Sequence, residues 1–254
     1  MQSFRNITRK VVTIAMFGGV LTWGVVLQGQ ESKKASNTAT TPVPRDANWV
    51  KRHEGFVEIA KKGSVDVLFL GDSITDGWRG QEAWKKHFEP LKAANFGIGG
   101  DRTQHVLWRI TNGELDGISP KAAVLMIGTN NSNGNDNTAE EIAEGITAIV
   151  KTLREKQPHM NVLLLAVFPR AEKRENVDKV PAGGLRTKID DVNKIIAKLD
   201  DGKMVRYLDI GPKFLDEDGG LSKEIMPDFL HLSRKGYEIW AEAIGKPLAE
   251  MLAK

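Results

Sequence analysis

The chain of 254 residues contains no cysteine. It therefore cannot form a disulfide, use a thiolate nucleophile, bind a metal through sulfur or carry a lipid-modified cysteine anchor. A net excess of charge is almost absent as well. The formal net charge is +3, and residues 1–30 hold three basic and no acidic residues, so the remaining chain carries 33 residues of each sign. A neutral body argues against an electrostatic nucleic-acid binder.

What the chain does have is an ordinary globular composition, with 41% apolar and 27% charged residues. This is enough apolar material for one sizeable core. Residues 49–254 show no internal repeat and no shift in composition, which predicts one domain. Residues 31–48, "ESKKASNTATTPVPRDAN", are polar and show no hydrophobic periodicity, so we expect a linker there.

The N-terminal 30 residues combine a basic start with one apolar run. Arg5, Arg9 and Lys10 precede a charge-free stretch from Val11 to Leu27. This pattern is typical of a secretory signal, although no clean small-x-small cleavage site follows. The run is also of borderline length for a membrane anchor. Both alternatives, a cleaved signal peptide or a retained membrane tether, predict an exported protein that is periplasmic or secreted.

Short apolar runs alternate with helical patterns through the body of the chain. Most of these runs are continuous rather than alternating, as expected for strands covered on both faces. Five repetitions of strand and helix predict right-handed βαβ units and a parallel sheet. The expected fold class is therefore α/β, a three-layer α/β/α sandwich with a five-stranded parallel sheet. The strand candidates are Val65–Leu70, Ala93–Phe96, Ala122–Ile127, Asn161–Val167 and Val205–Ile210.

Three helices have clear sequence signals. Thr138 and Glu141 form a capping-box pattern before apolar residues at helical spacing. A second helical stretch runs from about Leu185 to Leu199, and a third follows Ser233, a good N-cap. In such sheets the site lies at the carboxyl ends of the strands. We therefore expect the loops "GDSITDG", "GIGGD", "GTNNSNG" and "FPRAEK" to converge with the late loop "DFLHLS".

Ser73 is the candidate nucleophile. It follows an apolar strand in "FLGDSITDGW", residues 69–78, and precedes a predicted helical turn. A serine at a strand–turn–helix junction suits nucleophilic attack. The alternative is that Ser73 only caps the following helix.

His231 is the candidate base, because Asp228 lies three residues before it. On a helical turn, positions i and i+3 share one face, so the carboxylate can orient the imidazole toward a nucleophile. His105 lies within a helical pattern and is interpreted as structural. We expect the remaining histidines to be solvated: His53, His87 and His159.

Acyl transfer also needs donors for an oxyanion. Gly99 and Gly100 permit close backbone approach at the end of a strand, and Asn130 offers a side-chain amide at the end of the next one. Each of these residues alone is also typical of turns. Together with Ser73 they give donors from three strand ends.

The blocks "GDSI", "NFGIGGD", "GTNN" and "DFLHL" resemble, in order and spacing, the SGNH (GDSL-type) hydrolase superfamily. Further similarity in "HVLWR", "NGEL" and the "PR-x-E-K" loop extends to the catalytic subunits of intracellular platelet-activating-factor acetylhydrolases. The resemblance covers about residues 65–250. It implies the flavodoxin-like fold of SGNH hydrolases, and an ester hydrolase.

The resemblance also implies residue roles. Ser73 would be the nucleophile, His231 its base and Asp228 the acid that orients the base. The backbone N–H groups of Ser73 and Gly100 and the side chain of Asn130 would form the oxyanion hole.

Asp72 would support the turn around the nucleophile without reacting. Two features depart from the resemblance. The chain begins with an export pattern, and the loop "ITDGWRGQEAW" differs from that of the lipid acetylhydrolases, so substrate specificity is not transferred. Trp78, Arg79 and Arg170 are candidates for contacting the leaving group, with ordinary surface positions as the alternative.

The leading hypothesis is an exported serine esterase that acts on short acyl esters, with O-acetyl groups on a sugar as the expected substrate. No cofactor or metal is required, and a homodimer is possible. The alternatives are a lipid acetylhydrolase of the platelet-activating-factor type, a non-catalytic glycan-binding protein and a metal-dependent phosphoesterase. The last would draw hard ligands from the following residues: Asp72, Asp76, Asp101, Asp209 and His231.

Overall fold

A computed structural model describes residues 36–171, 177–181 and 185–253. The strands are β1 (Val67–Gly71), β2 (Ala93–Gly97), β3 (Ala122–Met126), β4 (Asn161–Leu165), β5 (Lys179–Val180), β6 (Val205–Leu208) and β7 (Leu221–Ser222). The helices are α1 (Ala47–Lys61), α2 (Ser73–Asp76), α3 (Glu82–His87), α4 (Thr103–Thr111), α5 (Ala139–Lys156), α6 (Leu185–Ile196) and α7 (Arg234–Leu252).

Five of the strands form one parallel sheet in the order β2-β1-β3-β4-β6. In its centre, Leu70 lies beside Phe96 on one side and Leu125 on the other. Every residue of β1, β3 and β4 is buried, which explains why these strands are continuous apolar runs. The predicted five-stranded parallel sheet is confirmed. A short antiparallel pair of β5 and β7 was not predicted, since two-residue strands leave no pattern.

Helices cover both faces of the sheet. Side chains alternate along β1, so Leu68 and Leu70 pack with α1, α4, α5 and α6, whereas Val67 and Phe69 pack with α3 and α7. The three-layer α/β/α sandwich is therefore confirmed, and its two cores lie on opposite sides of one sheet.

The three helices predicted from the sequence are also confirmed. Thr138 Oγ1 accepts a hydrogen bond from the Glu141 N–H, and the Glu141 carboxylate accepts one from the Thr138 N–H, completing the capping box of α5. Ser233 caps α7 by accepting from the Gly236 N–H. The predicted stretch Leu185–Leu199 is α6 followed by a 3₁₀ turn over Ala197–Leu199.

Residues 36–46, called here the N-terminal strap, correct the predicted linker. Ala39 is buried and its carbonyl accepts from Thr103 Oγ1 at 2.8 Å. Asn37 donates to the Glu141 carbonyl, and Asp46 caps α1. Residues 36–48 therefore belong to the folded domain and not to a linker, because the polar side chains that suggested a linker bind the domain instead.

The predicted signal or anchor, residues 1–30, and residues 31–35 of the predicted linker lie outside the described residues. Within the described ranges, no helix is both long and apolar enough to span a membrane.

Candidate active site

Ser73 begins α2 directly after β1. The cap of this short helix is Asp72, whose Oδ1 accepts from the Ile74 N–H at 2.9 Å. A side chain at Gly71 would lie 2.4 Å from the Met126 carbonyl oxygen, so the approach to the turn requires glycine. Helix capping was the alternative role considered for Ser73, but Asp72 is the residue that caps α2. The Ser73 hydroxyl is therefore left for other contacts.

The Ser73 hydroxyl meets His231. Ser73 Oγ lies 2.9 Å from His231 Nε2, although 158 residues separate them in the chain. The other ring nitrogen, Nδ1, lies 2.7 Å from Asp228 Oδ2. The three side chains expected to act together are therefore in a hydrogen-bonded chain.

The spacing of Asp228 and His231 predicted a contact across one turn of a helix. The structure makes this contact in a turn that is not helical. Phe229 has φ of 61°, a left-handed conformation that a helix does not allow. Asp228 Oδ1 accepts from the backbone N–H groups of Leu230 and His231, at 3.1 and 2.7 Å. Partial burial opposes ionisation of Asp228, but the hydrogen bonds from His231 and Leu230 outweigh it and lower the pKa of the carboxyl.

Apart from Ser73, the predicted oxyanion donors follow the carboxyl ends of β2 and β3, the two strands that flank β1. A Cβ on Gly99 would stand 3.8 Å from the Ser73 Cβ, so this backbone lies beside Ser73. Gly100 has φ of +77°, which favours glycine. Asn130 Nδ2 donates to the Asp101 carbonyl at 2.9 Å, which ties the end of β3 to the Gly99–Asp101 loop.

The described part of the loop "FPRAEK" and the loop "DFLHLS" also join the site. Arg170 Nη1 donates to the Thr129 carbonyl and to Asn133 Oδ1, at 3.1 and 2.9 Å. The Ala171 N–H donates to the Phe229 carbonyl at 2.9 Å. Arg170 and Ala171 together thus connect the loops that carry Asn130 and His231. The convergence expected from the topology is what the structure shows.

Two of the three candidate leaving-group contacts lie elsewhere. Trp78 is fully buried among aromatic side chains, with Tyr237 and Trp240 within 5 Å between ring centroids. Arg79 binds Asp76 and faces a cavity of about 640 Å³ at the free edge of β2.

The remaining histidines are partly as expected. His105 is structural, since its Nδ1 accepts from the Arg102 N–H. Burial, with three nearby arginines, lowers the pKa of His105 to about 4. His159 is exposed and His87 is half-buried. His53 is buried rather than solvated, and it contacts Glu114 and the Asn112 carbonyl.

Beneath the Gly99–Asp101 loop lies a buried ionic network that the sequence analysis missed, formed by Asp101, Arg109, Glu114 and His53. Arg109 is fully buried; it donates to Asp101 at 2.9 Å and to both carboxylate oxygens of Glu114 at 2.8 Å. The only sequence signal is a charged residue at Arg109 within the apolar helix "HVLWRI".

The carboxylates considered as metal ligands have other partners. Asp76 binds Arg52 and Arg79, whereas Asp101 belongs to the buried ionic network. Asp209 accepts from the Gly211 N–H. In the part of the chain that the structure describes, no three His, Asp or Glu side chains converge in a way that fits a metal ion.

The chain is similar in sequence to a known protein family. A family model described as GDSL-like lipase/acylhydrolase matches residues 69–239. Platelet-activating factor acetylhydrolase IB subunit alpha2 of Rattus norvegicus is 41% identical over 226 residues, which are 89% of this chain and 92% of the relative. Subunit alpha1 of Homo sapiens is 39% identical over 229 residues, covering 90% and 94%.

A solved GDSL-like lipase from Bacteroides thetaiotaomicron shares the fold, with a TM-score of 0.62 at 21% identity, covering 78% of this chain and 97% of that one. The resemblance found in the sequence motifs is thus confirmed. The chain belongs to the GDSL-like lipase/acylhydrolase family and is an ester hydrolase.

Proposed function

We propose that this protein hydrolyses short-chain acyl esters through Ser73, His231 and Asp228. The observation that carries the proposal is the continuous contact from Ser73 Oγ to His231 Nε2, at 2.9 Å, and from His231 Nδ1 to Asp228, at 2.7 Å. Imidazole between a hydroxyl and a carboxylate is the arrangement that activates a serine for acyl transfer.

The chemistry follows from these contacts. Ser73 Oγ attacks the ester carbonyl carbon while His231 Nε2 takes the hydroxyl proton. The oxyanion is stabilised by the N–H groups of Ser73 and Gly100 and by the Asn130 amide. The alcohol leaves with the proton from His231, and an acyl-enzyme remains. Water then attacks the acyl carbon, gives a proton to His231, and releases the carboxylic acid and free Ser73.

We propose O-acetyl groups on a sugar as the substrate class. Two features of the site support this choice. The side chains of His231 and Asp228 are 44% and 38% exposed, so the site is shallow and open to a bulky polar alcohol. A Cβ built on Gly99 would stand 3.8 Å from the Ser73 Cβ, and this contact beside the serine favours a small acyl group.

A lipid acetylhydrolase is the second candidate, and one observation favours it. Identity to platelet-activating factor acetylhydrolase IB subunits reaches 41% over nearly the whole domain. Both candidates share acetyl transfer to water, and they differ in the alcohol that leaves.

The deciding experiment is an acyl-chain series on nitrophenyl esters, followed by acetylated oligosaccharides set against an acetylated phospholipid. A hydrophobic acyl channel would gain about 0.8 kcal/mol, or about fourfold, for each added methylene. We expect the opposite order, with acetyl at or near the optimum. Rates that rise through octanoyl, with activation at an interface, would contradict the short-chain proposal.

The same preparation tests the serine mechanism. Activity should persist in a metal chelator and be lost on labelling with a fluorophosphonate, with Ser73→Ala as the unlabelled control. Loss of activity in the chelator without fluorophosphonate labelling would favour the metal-dependent alternative.

We also propose that the enzyme acts outside the cytoplasm, on the strength of the basic and apolar pattern of residues 1–30. Cell fractionation of the full chain tests this. Recovery of all activity in the cytosolic fraction would contradict it.

A further inference from the structure

Arg45, at the end of the N-terminal strap, reaches the loop that carries the proposed oxyanion donor. Its Nη1 donates to the Gly99 carbonyl at 2.8 Å and to Asp101 Oδ1 at 3.1 Å. The guanidinium also packs against Gly100, where an added Cβ would lie 3.3 Å from Nη1. A residue from a segment expected to be a linker therefore contacts three successive residues of this loop.

A hydrogen bond to the Gly99 carbonyl constrains one particular peptide unit. This carbonyl belongs to the same peptide unit as the Gly100 N–H, and in a planar trans peptide these two groups point in opposite directions. A hydrogen bond that fixes the carbonyl on one side therefore fixes the direction of the N–H on the other. No described residue accepts a hydrogen bond from the Gly100 N–H, so this donor remains available.

Arg45 also affects the strength of that donor. Hydrogen bonds from a charged group are stronger than those between neutral groups. A peptide whose carbonyl accepts from a cation is polarised and becomes a better donor at its N–H. The contact to Gly99 thus both orients and polarises the peptide that faces the reacting carbonyl.

The guanidinium is itself held in place. Its second acceptor, Asp101, is fully buried and also accepts from Trp49 Nε1 at 2.6 Å. Asn130 Nδ2 donates to the Asp101 carbonyl, which adds a contact to the backbone of the same residue. Although the Arg45 side chain is 31% exposed, it is anchored to the most rigidly bonded residue of the loop.

We propose that Arg45 is a positioning residue of the oxyanion hole, acting through the Gly99–Gly100 peptide. The proposal rests on the proposed function, since it needs Gly100 to face the reacting ester. Because the contact affects the transition state more than the bound ester, its loss should lower kcat and leave KM nearly unchanged.

The test compares Arg45→Ala with wild type in the full-length protein, on nitrophenyl acetate and in the rate of fluorophosphonate labelling of Ser73. Direct removal of an oxyanion donor costs on the order of 10²-fold in kcat. Arg45→Ala leaves the donor present but less well oriented, so we expect a loss of about 10-fold in kcat and a parallel slowing of labelling.

Two control variants separate this role from general stabilisation. Asn37→Ala weakens the contacts of the N-terminal strap with α5 and removes no contact to the Gly99–Asp101 loop. Arg206→Ala removes an exposed arginine–carboxylate pair with Glu250. Both should retain kcat within about twofold, as surface pairs and caps contribute little to the chemical step.

Each outcome decides one question. Arg45→Ala with wild-type kcat, or with a raised KM alone, would overturn the proposal. So would a loss of kcat in Asn37→Ala equal to that in Arg45→Ala, because the strap as a whole would then be responsible. If wild type neither turns over the ester nor labels at Ser73, the proposed function itself has failed, which is a different result.

Discussion

The Ser73–His231–Asp228 chain and the buried ionic network are both hydrogen-bonded sets of polar and charged groups, yet only the first is open to solvent. His231 and Asp228 are 44% and 38% exposed, whereas the side chains of Arg109 and Glu114 have no exposure. An open network can exchange protons with a substrate and with water. A closed one cannot, and it serves to hold backbone in place.

The contacts of Arg109 show what the closed network holds. Besides its carboxylate partners, Arg109 donates to the Phe96 carbonyl at 2.9 Å and to the Gly71 carbonyl at 3.4 Å. These carbonyls lie at the carboxyl ends of β2 and β1, where the Gly99–Asp101 loop and Ser73 begin. The buried network therefore ties together the two strand ends that lead into the Gly99–Asp101 loop and Ser73.

The largest effect should come from breaking the open network. Ser73→Ala and His231→Ala should each lower kcat by about 10³-fold or more, with little further loss in the double variant, because such residues act as a unit. Thermal unfolding should change little, since both side chains are partly exposed. Ser73→Ala with a tenth of wild-type turnover would refute the assignment of the nucleophile.

Disrupting the buried ionic network should instead lower the stability of the fold. Arg109→Met leaves the buried Glu114 without its arginine and Asp101 with only the partly exposed Arg45, so we expect the free energy of unfolding to fall by about 3 to 5 kcal/mol. Urea unfolding measures this, with Arg206→Met in the exposed pair with Glu250 as the control, for which about 0 to 1 kcal/mol is expected. Similar losses in the two variants would mean that burial does not distinguish these ion pairs.

The contrast also explains what sequence could reveal. Asp228 and His231 are three residues apart, and Ser73 follows a recognisable apolar strand, so local spacing pointed to each of them. The sheet was equally visible, because buried parallel strands are continuous apolar runs. These features depend on neighbours in the chain.

The missed features depend on distant partners. Arg45 and Asp101 are separated by 56 residues, and His53 and Glu114 by 61. Nothing local distinguishes an arginine in a polar segment that binds a folded loop from one in a linker. The burial of His53 was missed for the same reason, since the glutamate that accompanies it is supplied by tertiary structure.

Among the described residues, Asp72 lies between the two networks without a hydrogen bond to either, and its protonation gives a further test of what burial does. It caps the helix that begins with Ser73, and its charge also interacts with Asp101 and Arg170. Burial raises the pKa of Asp72 to about 7 from an ordinary value of 3.8, and the charge of Asp101 adds to the shift. Its Oδ2 is buried without a hydrogen-bond partner in the described structure, which leaves a place for the proton.

The smallest expected effect is therefore a pH dependence of stability. Since Asp72 keeps its proton to higher pH in the folded state, the folded state binds more protons than the unfolded chain between pH 3.8 and about 7. Stability must then fall as pH rises through that window and level off above it. Asp72→Asn keeps an oxygen to accept from Ile74 but cannot ionise, so its unfolding free energy should gain about 2.5 kcal/mol relative to wild type between about pH 5 and about pH 8. Denaturant unfolding of both proteins across this range measures the difference. A difference between the two stability curves that does not change with pH would show that Asp72 is already ionised in the folded protein over this range. A difference that shifts toward Asp72→Asn by about the expected amount would show that burial keeps Asp72 protonated.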